Sequence, residues 1–185
     1  DITERREAEK ALQQRQAMLT RTEAMAHIGS WEWDVATDTV TWSDELFRIM
    51  GRDPDLGPPS FAEHAGLYVP EDFARLQKAV TVALDHATPI DLELRVLRPD
   101  GTVRDTLGVG YPERDKDGKV FRIYGFCQDI TEIKQAQERI EHLNKVLRAI
   151  RDVNQLIVRE RDRDTLIREG CRLLVDNRGY ASCLI

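Results

Sequence analysis

The stretch IDLELRVLRPDGTVRDTLGVGYPERDKDGKVFRIYGFCQDITE, residues 90–132, decides the fold. Ile90, Leu92, Leu94 and Val96 alternate with Asp91, Glu93 and Arg95, the period of a strand with one buried face. Pro99-Asp100-Gly101 and Asp115-Lys116-Asp117-Gly118 are turn sequences. The chain therefore doubles back twice, giving three hairpin-joined strands: the first from Ile90, the second over Thr102 to Tyr111, the third over Lys119 to Asp129. Upstream, Ser30-Trp31-Glu32-Trp33-Asp34-Val35 alternates as well, Thr37-Asp38 turns, and Val40 and Trp42 alternate again, which reads as an antiparallel hairpin. Helices lie between the two sets. Ser43 caps a short one, Asp44 to Met50, stopped by Gly51. Ser60-Phe61-Ala62-Glu63 has capping-box spacing, and Pro70 opens a longer helix, ending near Ala87, on which Phe73, Leu76, Val80 and Leu84 share a face. Two strands, several helices and three strands predict an α+β domain with a five-stranded antiparallel sheet and helices on one side.

Composition narrows the function. With 185 residues, 41% of them hydrophobic, the chain can bury one domain of roughly 100 to 150 residues beside linkers or part of a second domain. A net charge of −6 offers no basic field for phosphates, so neither nucleic acid nor an anionic membrane surface is an expected partner. Cys127, Cys171 and Cys183 lack CxxC spacing and are too few for a disulfide framework, so they read as free thiols in a reducing cytoplasm, with no metal site. No apolar run approaches the length of a membrane span.

Both flanks of this domain are helical. Thr3 to Ala26 contains no Gly or Pro and repeats apolar residues at Leu12, Leu19 and Ala26. After Thr131, a plausible N-cap, the period becomes heptad: Ile133, Ala136, Ile140, Leu143, Leu147, Ile150, Asn154 and Ile157 occupy the a and d positions. A buried Asn at a specifies register and oligomer state, so the pattern predicts a two-stranded coiled coil rather than a helix packed on its own domain. Farther on, Asp164-Thr165 starts a helix carrying Leu166, Ile167, Leu173 and Leu174, and Asn177-Arg178-Gly179 turns into an expected strand, Tyr180 to Ile185. Asp-Ile-Thr-Glu stands both at residues 1–4 and at 129–132, each time before a helix. A repeated joint is the expectation.

GSWEWDVATDTVTWSDELFRIMG, VPEDF, LRPDG and GFCQDITEIK, in this order, resemble a bacterial PAS domain across Ile28 to Glu132. The tail LNKVLRAIRDVNQLIVRERDRDTLIREGCRLLVDNRGYASCLI resembles the lead-in and first strand of a GAF domain. The implied plan is a flanking helix over 1–27 after a preceding PAS domain, the PAS domain over 28–130, a coiled-coil signalling helix over 131–162 and the start of a GAF domain over 163–185. In PAS proteins the Asp-Ile-Thr triplet closes the last strand and starts the connecting helix, so Asp129, Ile130 and Thr131 are the implied signal-transfer residues. Such arrays belong to histidine kinases or cyclic-di-GMP enzymes. The chain has no phosphoacceptor helix, glycine-rich nucleotide box or diguanylate cyclase motif, so it is not expected to be an enzyme itself, and no catalytic residue is assigned.

PAS domains can enclose a ligand between sheet and helices. Alternation along the last strand puts Phe121, Ile123, Gly125 and Cys127 on one face and Arg122, Tyr124, Phe126 and Gln128 on the other. By resemblance the Cys127 face looks into the pocket, where flavin-binding relatives often place a Gln. With no cysteine among residues 1–126, a light-oxygen-voltage photoadduct is excluded, and Cys127 argues against flavin. Leu92, Leu94, Val96, Val109, Ile123 and Cys127 are the pocket candidates. Haem-binding PAS domains use a histidine near the end of the long helix, where His86 stands, although a helix C-terminus also suits a solvated histidine. His64 is a lesser ligand candidate, and the three tryptophans read as core or rim packing. The outward Tyr124 and Phe126 need cover, expected from the Thr3 to Ala26 helix through Leu19. The expected function is a homodimeric signal-relay module, joined to PAS and GAF neighbours, which senses a small molecule or fills its own pocket. A haem or flavin redox or gas sensor is the alternative.

Overall fold

The computed structural model describes residues 2–159 together with 162, 164, 165, 167–169 and 172, without the side chains of 2–4, 62, 157 and 159. The expected GAF strand, Cys171, Cys183, the Ile157 side chain and the side chains of the first Asp-Ile-Thr-Glu copy lie outside the described residues. The elements run α1 (Ile2–Ala26), β1 (Ile28–Asp34), β2 (Thr39–Trp42), α2 (Asp44–Met50), α3 (Pro70–His86), β3 (Ile90–Leu97), β4 (Val103–Arg114), β5 (Val120–Asp129) and α4 (Thr131–Arg159). The sheet has the order β2-β1-β5-β4-β3 and every neighbouring pair is antiparallel. Two 3-10 turns, Pro54–Leu56 and Phe61–Leu67, fill the segment between α2 and α3. Residues up to Thr131 form one compact unit and those from Glu132 another.

Local chemistry sets the boundaries. Ser43 accepts from the Leu46 amide to start α2, and Gly51 in the left-handed region ends it. At Ser60 the capping box forms as Glu63 accepts from the Ser60 amide and hydroxyl at 2.8 and 2.9 Å, but the helix it opens is 3-10, its hydrogen bonds spanning one residue fewer than in an α-helix. Gly29 permits a close approach: a Cβ there would lie 2.5 Å from the Leu46 Cα, so α2 can sit directly on β1. Leu46, Phe47, Ile49 and Met50 of α2 pack with Trp42, Tyr68, Leu94, Val96 and Cys127, while Val80 and Ala83 of α3 pack with Ile90, Val120 and Ile123. The helices between β2 and β3 thus share one face of the sheet.

The other face corrects one expectation. Helix α1 does not cover Tyr124, which is 43% exposed, and Leu19 is 58% exposed. A cleft of about 550 Å³ runs between them, lined by Gln16, Leu19 and Glu23 on the helix and Glu32, Arg122 and Tyr124 on the sheet. The reason is in the helix: its large apolar residues Leu12, Met18, Leu19 and Met25 are spread around the axis rather than gathered on one face, and all are more than half exposed. Its hold is polar and confined to its end, where Ser30 donates to Glu23 at 2.7 Å and Gln128 to the Ala26 carbonyl at 3.4 Å. Tyr124 is sheltered by a different neighbour, the Arg122 guanidinium 5.3 Å above its ring, which also bridges Glu32 and Glu113.

Candidate functional site

Between sheet and helices lies a cavity of about 90 Å³. Trp31, Trp33, Val40 and Trp42 enter it from the first hairpin, Leu46 and Met50 from α2, Phe61, His64 and Tyr68 from the 3-10 segment, and Leu94, Thr106, Ile123 and Cys127 from β3, β4 and β5. Of the sequence-derived pocket residues, Leu94, Ile123 and Cys127 line the space directly. Leu92 and Val96 share the inward face of β3 but are spent on core packing. Val109 is a correction. It pairs with Phe126 and with Asp91, both outward, so it lies on the opposite face of the sheet, and the inward residues of β4 are Thr106, Gly108 and Gly110. Two glycines hid the alternation that would have revealed this. Gly110 is small because a Cβ there would meet the Trp31 ring at 2.9 Å.

His86 is a second correction: it is exposed at the end of α3 and does not line the cavity. The histidine that does is His64, whose Nδ1 lies 2.8 Å from the Ser60 carbonyl. A carbonyl only accepts, so Nδ1 carries the proton. Desolvation is the main reason its basicity falls below the ordinary histidine value, and the ring stays neutral. It stacks on Tyr68 with centroids 6.4 Å apart and meets Trp42 edge-on at 5.8 Å. Cys127 is a protonated thiol, pushed up to about 12 by burial, and burial also raises the Tyr68 phenol. Haem and flavin require far more room, since sites for molecules of that size occupy roughly 300–1,000 Å³. The residues present do not fit either group, and no cluster of metal-ligating side chains stands among the described residues.

The second constellation is where β5 ends. Asp129 accepts from the Thr131 amide at 2.9 Å, Ile130 donates its amide to the Asp105 carbonyl at 2.9 Å, and the Asp105 amide donates to the Thr131 hydroxyl at 3.0 Å. The Asp129 amide reaches back to the His27 carbonyl at the end of α1. Two guanidiniums face its carboxylate, Arg104 at 3.8 Å and Arg98 at 4.0 Å. Arg98 meanwhile donates to the Ile49 and Arg48 carbonyls of α2 at 2.8 and 3.1 Å. Asp129, Ile130 and Thr131, singled out by sequence, are therefore brought together, and Arg98 ties them to the helix that walls the cavity. Sequence reading missed Arg98. Its only signal was a cation before a Pro-Asp-Gly turn.

On α4, Ile133, Ile140, Leu143, Leu147 and Ile150 are between 47% and 63% exposed, with Asn154 also exposed.

A five-stranded antiparallel sheet in the order 2-1-5-4-3, holding helices and a cavity on one face, defines the PAS fold. Residues 39–127 match the family model described as PAS fold, and the described domain has that fold. The chain is similar to the probable diguanylate cyclase DgcE of Escherichia coli, 28% identical over 140 residues that span 76% of this chain and 12% of that protein. It is similar to hybrid signal transduction histidine kinase I of Dictyostelium discoideum, 25% identical over 130 residues, 68% of this chain and 7% of that protein. Among solved structures, the sensory box histidine kinase/response regulator from Burkholderia thailandensis superposes with a TM-score of 0.56 at 25% identity, covering 70% of this chain and 97% of that one. The domain is homologous to modules of histidine kinases and diguanylate cyclases, and it spans about an eighth or less of these two curated relatives. No described helix is long and apolar enough to cross a membrane.

Proposed function

We propose that this PAS domain is a sensing and relay module of a multidomain signalling protein, a histidine kinase or cyclic-di-GMP enzyme of the cytoplasm. It pairs with a second copy of itself along α4, stands between a PAS and a GAF neighbour, and passes changes at the cavity to α4 through Asp129, Ile130 and Thr131. The observation that carries this reading is the Arg98 bridge. Leu46 and Met50 wall the cavity, the carbonyls at the end of the same helix hold Arg98, and Arg98 faces the carboxylate that accepts from the first amide of α4. An occupant that binds two α2 positions with different affinity biases the geometry of that first turn. The exposed apolar a and d positions, with Asn at one a position, are the surface for a second copy.

Sedimentation of the chain tests the pairing. The wild type is expected to be a dimer at micromolar concentration, and the double variant Leu143→Asp, Leu147→Asp a folded monomer. The pairing reading fails if both sediment alike. In a full-length chain with its output domain, Asp129→Ala should abolish the response, and a wild-type response would remove the joint from the mechanism.

A further inference from the structure

The two edges of the sheet, β3 and β2, are treated differently. Along β3 the edge-directed backbone of Glu93 and Arg95 is taken up. The Arg95 amide donates to Asp72 at 2.9 Å, the Arg95 carbonyl accepts from the Val69 amide at 3.0 Å, and the Glu93 carbonyl accepts from Arg75 at 3.1 Å. β2 has no such cover. The Ser43 amide donates to the Ser30 carbonyl at 2.9 Å, so the alternation of an antiparallel ladder makes Thr41 and Thr39, opposite Glu32 and Asp34, the residues bonded to β1. The amides and carbonyls of Val40 and Trp42 therefore point away from the sheet, where they have no hydrogen-bond partner among the described residues. Thr39-Val40-Thr41-Trp42 also carries no lysine, proline or bulge, the devices that keep an edge strand from pairing with another chain.

The side chains along that edge define what fits it. In an antiparallel addition, residues opposite Val40 and Trp42 share their face, which is the face of the cavity and helices, so they must be apolar. The residues between stand beside exposed Thr41 on the other face, where the cleft against α1 gathers Glu23, Glu32 and Asp44. The guanidinium in that cleft, Arg122, is already shared by Glu32 and Glu113 at 3.1 and 2.7 Å. The balance there is negative and calls for a cation. A second copy of β2 does not fit. In the register that sets Val40 against Trp42, Asp38 of one chain opposes Asp44 of the other.

We propose that β2 is a docking edge for an extended segment of a partner protein, added antiparallel to the five-stranded sheet, in which apolar residues alternate with lysine or arginine. Main-chain bonds to Val40 and Trp42 hold the segment, and the cleft carboxylates select its charge. The edge needs neither a cavity occupant nor pairing along α4.

The test is NMR titration of the 185-residue chain with a hexapeptide of alternating valine and lysine. Saturable binding with a Kd of about 0.1–1 mM is expected. Hydrogen exchange of the Val40 and Trp42 amides should slow about tenfold at saturation. The peptide N-methylated on its valines, whose amides face β2, should not bind, whereas N-methylation of its lysines, whose amides face solvent, should leave binding unchanged. A peptide of alternating valine and glutamate should not bind, and Glu32→Gln combined with Asp44→Asn should weaken the lysine peptide about fivefold. The helix variant Leu143→Asp, Leu147→Asp should bind it as the wild type does, which separates this edge from the pairing proposed above. Absence of binding, retained binding after methylation of the valines, binding of the glutamate peptide, or wild-type affinity in the Glu32, Asp44 variant would each overturn the inference. So would slow exchange at Val40 and Trp42 that grows with protein concentration in the absence of peptide, since a second copy would then hold the edge.

Discussion

Replacing Asp72 with Asn should destabilise the domain at neutral pH and leave it unaffected in strong acid. Asp72 stands in the first turn of α3 with its side chain 6% exposed. One carboxylate gathers four donors: the Arg95 amide at 2.9 Å, Arg95 Nε at 2.8 Å, Arg95 Nη2 at 3.4 Å and Arg75 Nη1 at 3.2 Å. These bonds staple the helix start to β3. Hydrogen bonds from the Arg95 side chain are the largest cause holding the carboxyl down, from its ordinary 3.8 to about 2, against the opposing effect of burial. At roughly 1.4 kcal/mol per pH unit, that interval sets a ceiling of about 2.5 kcal/mol. Both arginines are half exposed, at 49% and 53%, so solvent screens the pairing and about 1 kcal/mol is the expected loss. In a chain of this size that lowers Tm by about 3 °C. The assay is urea unfolding followed by tryptophan fluorescence across pH, wild type against variant. A lowered folded-state value means the contribution is complete above 3.8 and is lost as pH falls toward 2, so the two curves should converge over that window. A gap that persists unchanged at the acid end, or no gap at neutral pH, would refute the assignment to charge.

Two further substitutions probe packing and pairing. Gly29→Ala places a Cβ 2.5 Å from the Leu46 Cα and amide nitrogen, so α2 must lift from β1 at a cost of about 2–3 kcal/mol in urea unfolding, and a cost near zero would show that the contact is not tight. Asn154→Ile should raise the thermal stability of helix association while relaxing its register, visible in native mass spectra as additional oligomers. An unchanged melting temperature with an unchanged oligomer distribution would count against the coiled coil.

Strand and helix order was legible because local signals agreed with the fold: alternation in Ile90 to Val96, two turn sequences, a serine cap before α2 and a proline before α3. Legibility failed where a residue's role is set by something distant in the chain. The facing of β4 depends on Gly108 and Gly110, which show no side chain to alternate, so Val109 was put on the wrong face. His64 and Tyr68 meet only because a 3-10 segment folds over the sheet, with Tyr68 bridged to Val96. No spacing in the sequence announces that. His86 had the better position by analogy, but the helix ends with it pointing to water. Asp72 and Arg95, 23 residues apart, form a pair that only the helix-to-sheet packing reveals.

The 4.0 Å between Arg98 and Asp129 is longer than a charge-assisted hydrogen bond, which closes to about 2.8 Å. Arg98, which also holds the α2 carbonyls, is therefore roughly an ångström short of a close bond to Asp129. Arg104 stands at 3.8 Å, so the Asp129 carboxylate lies between two arginines with a close bond to neither. In the relay proposed above, a small movement of α2 would decide which arginine holds Asp129.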